Sequence, residues 1–156
     1  MRLVFAPHVA RMDEHLAHQS LADLVLDTFP YNSHSTACDA LWAGVPALTC
    51  RGASLASQVA ASALITAGLP ELITDSLEEY AQRAVLLARE EGLLMGLRQR
   101  LERERTSCPL FATGRFIHWL ESAFATMYSL ALRGDRPRAF DVAAKSLCAG
   151  APTPGN

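Results

Sequence analysis

The sequence is poor in the features that most directly announce a function. No lysine occurs before Lys145, and residues 1–82 hold only three basic side chains, Arg2, Arg11 and Arg51, against nine acidic ones. The remainder holds eleven basic and seven acidic residues. Neither part has the concentrated positive surface that a phosphate backbone requires, so nucleic acid is not an expected partner. No apolar run approaches the ~18–20 residues of a membrane span, so no membrane partner is expected either. Leu3 to Ala6 is too short, before Pro7, to form a secretory core of ~7–15 apolar residues. The cysteines, Cys38, Cys50, Cys108 and Cys148, are widely spaced and form no C-x-x-C pair. Zinc and thioredoxin-like chemistry therefore lack their sequence signature, and free thiols in a reducing, cytoplasmic compartment are the expectation. There is no internal repeat and no G-x-G-x-x-G fingerprint.

What is present suits one folded domain. The chain has 156 residues, 50% of them hydrophobic and 19% charged, too apolar to be disordered throughout. Short apolar runs alternate with helical patterns in the first half. Leu3–Ala6, Asp23–Asp27, Val45–Cys50 and Glu71–Ile73 read as short strands, with helices expected over 13–19, 35–43 and 55–67. Gly44 and Gly68 are placed as helix terminators. Strand and helix alternating at this spacing predict βαβ units and a parallel sheet. The continuously apolar strands suit a sheet covered on both faces.

From residue 75 onward the pattern is helical. Ser76 with Glu79 three residues later predicts a capping box. A helix to about Glu91, a charged helix to about Arg105 and a last helix from about Thr113 to Leu132 follow. Arg98, Arg100, Arg103 and Arg105 read as a solvated face. Phe116, Trp119, Leu120, Phe124 and Tyr128 form a stripe expected to pack the last helix onto a lobe. The expected division is 1–74, an incomplete sheet lobe; 75–133, helices packing on it; and 134–156, a tail disordered from about 149.

The most informative stretch runs from Leu26 to Pro46, through Asp27-Thr28-Phe29-Pro30-Tyr31-Asn32-Ser33-His34-Ser35-Thr36. A strand ends, a polar loop follows, and a helix begins with hydroxyl residues. Ligands of open α/β sheets sit at the carboxyl ends of strands. A helix N-terminus there offers unpaired N–H groups and partial positive charge to a phosphate. His34, Ser35 and Thr36 add donors, and Asp39 is placed to accept from a ribose diol. The residues by themselves leave a simpler alternative open: Ser35 or Thr36 as an N-cap and Asp39 completing a capping box.

The same stretch resembles the catalytic region of the O-GlcNAc transferase and SPINDLY-like glycosyltransferases. Their pattern runs L-D-T-x-P-Y-N-x-H-T-T-x-x-D-x-L-W-A-G-x-P. It is met at Leu26, Asp27, Thr28, Pro30, Tyr31, Asn32, His34, Thr36, Asp39, Leu41, Trp42, Ala43, Gly44 and Pro46, with Ser35 replacing the first threonine. Ala56–Ser62 resembles the family's A-S-R-V-A-A-S, with Gln58 for arginine. Gly68–Ile73 matches G-L-P-E-L-I, and Ser107–Phe111 resembles S-P-L-F with one residue inserted.

The resemblance implies part of the C-terminal Rossmann-like lobe of a GT-B enzyme: an α/β fold with a short parallel sheet, flanking helices and a helical C-terminal extension. It implies an inverting transfer from UDP-GlcNAc or a related nucleotide sugar to Ser or Thr of a protein, without a metal or other cofactor. By the match, His34, Ser35 and Thr36 hold the diphosphate and Asp39 the ribose. His15 matches a histidine near the nucleotide, and His18 falls where the family has an arginine beside the base. His15 and His18 at i, i+3 could instead bind a metal, but no third ligand is evident. No complete catalytic set is expected in this chain. The family's N-terminal lobe, its tetratricopeptide repeats and the lysine that contacts the donor phosphate precede the matched region. A fragment is therefore expected, with an exposed sheet edge. The alternative is a non-catalytic remnant or interaction module of the same family.

Overall fold

The computed structural model describes residues 3–142. The tail expected to be disordered from about residue 149 lies outside the described residues. Six α-helices and three short strands are found among those described: α1 Met12–Ser20, β1 Val25–Leu26, α2 Ser35–Trp42, β2 Ala47–Cys50, α3 Val59–Thr66, β3 Ile73–Thr74, α4 Leu77–Arg89, α5 Glu91–Glu104 and α6 Thr113–Leu132. The strands form one parallel sheet in the order β1-β2-β3. Val25 lies beside Ala47 and Leu26 beside Leu48; Thr49 lies beside Ile73 and Cys50 beside Thr74. This is the expected α/β architecture with helical crossovers.

The central strand β2 is buried at all four residues. Leu41 of α2, Leu48 of β2, Leu64 of α3 and Leu72 pack with Leu87 of α4 and Leu101 of α5 in one core. One compact unit accordingly extends to Ala112 and a second begins at Thr113. The terminating glycines act as the sequence indicates. Gly44 and Gly68 have φ of +82° and +77°. In each case the glycine N–H and the next N–H turn back onto the helix, Gly44 to Leu41 O and Val45 to Ala40 O, Gly68 to Ile65 O and Leu69 to Leu64 O. This pair of hydrogen bonds, made possible by the left-handed glycine, satisfies carbonyls that the helix end leaves free.

Several expected elements differ in the structure. The strand expected over Glu71–Ile73 is a 3₁₀ turn, Pro70–Leu72, whose proline-led turn leaves only Ile73–Thr74 to pair with β2. Leu3–Ala6 is not a strand; Leu3, Val4 and Phe5 are exposed and pair with nothing among the described residues. An apolar run becomes a strand only by hydrogen bonding along a neighbouring edge, and this one meets none. The helix expected over 55–67 is split: Leu55–Ser57 is a 3₁₀ turn, and α3 starts at Val59. Ser54 and Ser57 cap each other reciprocally, a local alternative that holds the chain out of the α-helix. Arg98, Arg100 and Arg105 are half-buried rather than solvated. They reach Ala22 O, Glu71 and Trp42 O, and so tie α5 to the first half of the chain. The expected capping box is half formed: Ser76 Oγ accepts from Glu79 N, but Glu79 Oε2 accepts from Asp75 N instead of the cap residue.

The second unit contains α6. α6 ends in the same glycine turn, with Gly134 N bonded to Ala131 O and Asp135 N to Leu130 O. Phe116, Leu120, Phe124 and Tyr128 of the expected packing stripe are exposed. Helical spacing says which residues share a face, not what that face meets. Trp119 lies beneath the Arg115 guanidinium, 6.0 Å from its carbon to the ring centre.

The packing predicts a contrast between neighbours on α3. Leu64 is fully buried and Ile65 is 58% exposed. Leu64→Ala is expected to lower unfolding free energy by ~2–5 kcal/mol and Ile65→Ala by less than ~0.5 kcal/mol, measured by urea denaturation.

Candidate functional site

The site is built where β1 ends. Asp27 follows Leu26, and its carboxylate is 8% exposed in the residue as a whole. Oδ1 accepts the N–H groups of Thr28 at 2.9 Å and Ser33 at 2.7 Å. Oδ2 accepts the hydroxyl of Thr49, on the fully buried β2, at 2.6 Å. One carboxylate thus closes both ends of the 28–33 loop onto the sheet. Burying a charge is tolerated because its lone pairs are filled in this way.

Asn32 supplies the second fastening. Its amide hydrogens go to Thr28 O at 2.8 Å and Cys50 O at 3.3 Å, and its backbone N–H goes to Ala56 O at 3.1 Å. The loop is therefore stitched to β2 and to the turn after it. The Thr28 hydroxyl donates to Tyr31 O at 2.6 Å. Tyr31 stacks on His34, with ring centres 5.1 Å apart and 15° between planes. From α4, Tyr80 donates its hydroxyl to Asp27 O at 2.8 Å. Burial, then the charge of Asp27, raises the Tyr80 phenol above its usual range, so it remains a donor through neutral pH.

This stitching aims the first turn of α2. His34 is its N-cap residue, with φ −106° and ψ −93°, and no side chain accepts a capping hydrogen bond from the turn. Ser35 and Thr36 occupy the first two helical positions and are exposed with His34. The alternative in which Ser35, Thr36 and Asp39 form a capping box is not what the chain adopts. The N–H groups of this turn have no intrahelical acceptor, and no acidic residue lies in the first turn.

Asp39 lies one turn further on and meets α1. Its Oδ2 is 3.5 Å from His15 Nε2, both side chains being about one-third exposed. His15 and His18 also line a groove with Pro7, His8 and Val9 of the extended segment before α1. His15 is thus brought to Asp39, and His18 lies along the same groove, exposed. Among the described residues no three His, Cys, Asp or Glu side chains are grouped to hold a metal ion. Cys38, beside Asp39, has its thiol pushed up by burial and then by the Asp39 charge, so it stays protonated. Cys38, Cys50 and Cys108 are free thiols.

Comparison with known proteins points to one family for the chain. The description of Glycosyl transferase family 41 matches residues 1–120. The chain belongs to glycosyl transferase family 41. Within family 41 it is 41% identical over 135 residues to an Arabidopsis thaliana protein named probable UDP-N-acetylglucosamine–peptide N-acetylglucosaminyltransferase SEC, covering 86% of this chain and 14% of that protein. It is 39% identical over 127 residues to the Caenorhabditis elegans UDP-N-acetylglucosamine–peptide N-acetylglucosaminyltransferase, covering 81% and 11%. The solved structure of a mutant Thermobaculum terrenum O-GlcNAc transferase superimposes with a TM-score of 0.74 at 38% identity, over 81% of this chain and 24% of that one. The chain therefore spans a small part of the length of these relatives, and its α/β fold matches part of a GT-B glycosyltransferase. No helix among the described residues is long and apolar enough to cross a membrane.

Asp27, Asn32, Thr49 and Tyr80 were not singled out from the sequence. Asp27 and Asn32 carry a signal there as matched positions of the family pattern, and Asp27 also as an ionisable residue closing an otherwise apolar strand. Asp27→Ala leaves two N–H groups and a buried hydroxyl without their acceptor and is expected to cost ~3 kcal/mol. Asp27→Asn keeps Oδ1 and is expected to cost ~1 kcal/mol. Thermal and urea unfolding of both variants check this order.

Proposed function

We propose that this chain is the nucleotide-sugar-binding portion of an inverting protein O-glycosyltransferase, with UDP-GlcNAc or a related nucleotide sugar as donor. The observation that carries the reading is the first turn of α2, uncapped by any side chain, bearing Ser35 and Thr36 and held by Asp27 at the carboxyl end of β1. His34, Ser35, Thr36 and the N–H groups of that turn hold the diphosphate. As the glycosidic bond to the leaving diphosphate breaks, negative charge grows on its oxygens. Fixed N–H dipoles stabilise that charge without reorganising, so neither a metal nor another cofactor is needed at this position. Asp39 accepts from the ribose hydroxyls, with His15 steadying its second oxygen. The groove beside His15 and His18 takes the base. A histidine offers fewer fixed donors than the arginine of the family pattern.

The acceptor is Ser or Thr of a protein, reached through the rest of a full-length enzyme that includes an N-terminal lobe and a tetratricopeptide-repeat region. The names of the Arabidopsis thaliana and Caenorhabditis elegans relatives, which specify a peptide acceptor, support this. The free thiols support a cytoplasmic setting.

The test is calorimetric titration of the full 156-residue chain with UDP. Binding is expected, weakened on the order of tenfold by Asp39→Ala and by His34→Ala, with unfolding temperatures unchanged. A folded chain that takes up no UDP rejects the reading.

A further inference from the structure

Resting on that reading, we infer that Arg51 is the side-chain cation of the donor site, held in reserve by Asp75 and released to the diphosphate when the nucleotide binds. A diphosphate needs positive charge, and the described residues up to Gln82 contain only two arginines and no lysine. Arg11 precedes α1 and is held by Asp13, with one contact at 3.0 Å and another at 2.8 Å. Arg51 immediately follows β2, at the carboxyl end of the sheet where ligands of parallel α/β folds collect.

Three contacts put Arg51 beside the loop that aims α2. Asn32 Nδ2 bonds the carbonyl of Cys50, the residue before Arg51. Asn32 N bonds Ala56 O, so the loop lies over the turn that Arg51 opens. On the other flank of Arg51, a Cβ on Gly52 would stand 3.2 Å from Phe29 Cε2 and 2.6 Å from Ser57 Oγ, so that backbone is pressed against the loop. Three arginines of α5 and its C-terminal end are engaged elsewhere. Arg105 sits at the opposite end of α2, bonded to Trp42 O at 2.6 Å; Arg98 bonds Ala22 O, and Arg100 pairs with Glu71.

The Arg51 guanidinium is paired with Asp75, which follows β3; Nη2 lies 3.2 Å from Oδ2, and Nε bonds Oδ1. The pair raises the Arg51 pKa, first through the hydrogen bond to Asp75 and then through its charge. Both side chains are more than half exposed. An exposed pair of this kind contributes little to stability, so a doubly charged phosphate competes well for the fork of donors. Asp75 then acts as a competing anion, which makes its removal favourable to binding. Arg51 binds and steers the donor; it takes no part in bond breaking.

Calorimetry with UDP and with uridine, on the full chain and on Arg51→Gln and Asp75→Asn, tests this. The expected result is a roughly tenfold loss of UDP affinity in Arg51→Gln, unchanged uridine affinity, and a severalfold gain for UDP in Asp75→Asn. The salt dependence of UDP binding is expected to fall in Arg51→Gln. Unchanged UDP affinity in Arg51→Gln, with Asp39→Ala still weakening it, overturns this inference and leaves the proposed function standing. Equal losses for UDP and uridine in both variants, with lowered unfolding temperatures, make the pair structural and also overturn it. No UDP binding by the wild-type chain removes the proposed function and this inference together.

Discussion

Everything at the candidate site depends on one buried carboxylate. Asp27 stands where β1 gives way to the loop, and its two oxygens are shared between the loop backbone and the Thr49 hydroxyl of the central strand. A neutral side chain of the same size could not fill all three positions with acceptors. The carboxylate therefore fixes where Ser33 lies, and Ser33 fixes where α2 begins. Tyr80 adds a clamp from α4, more than fifty residues later, so the site is tied to the helices as well as to the sheet. A rigid platform under a turn of free N–H groups is the arrangement that electrostatic binding of an anion needs, because the dipoles are already oriented when the charge arrives.

The distribution of charge follows from the same architecture. The first 82 residues are strongly acidic and the rest basic, yet three arginines of α5 and its C-terminal end turn back to the acidic half. Arg105 satisfies a carbonyl at the C-terminal end of α2 and lies over Trp42, with its guanidinium carbon 5.8 Å from the ring centre. A cation at that end complements the helix dipole, while the N-terminal end is left open. Three positive charges of the second half thus tie it to the first. In the proposed reading, recognition of an anion falls to backbone groups, hydroxyls and Arg51 at the sheet's carboxyl edge.

Much of the fold was legible because its signals are local. Gly44 and Gly68 mark helix ends through their backbone freedom, and a seven-residue window suffices to see them. The apolar run of β2 is legible because the strand is covered on both faces. Leu3–Ala6 carries the same signal and was misread, since pairing depends on a neighbouring edge that a window of sequence does not contain. The arginines of α5 were misread for a related reason: helical spacing shows a charged face but not the carbonyls and carboxylates it meets. At the site, the Leu26–Pro46 pattern pointed to His34, Ser35, Thr36 and Asp39, and the structure sets all four on α2 or its cap. The roles of Asn32 and Tyr80 arise from contacts 18 and 53 residues apart, which no local pattern encodes.

The central claim is that the open first turn of α2, held by Asp27, takes the diphosphate. Amide hydrogen exchange of the full chain, with and without saturating UDP, tests it most directly. The account predicts slowed exchange confined to residues 33–38 and to the α1 groove around His15 and His18, with α6 unchanged. Unaltered exchange at residues 33–38 while UDP is bound would contradict it, because the nucleotide would then be held somewhere else.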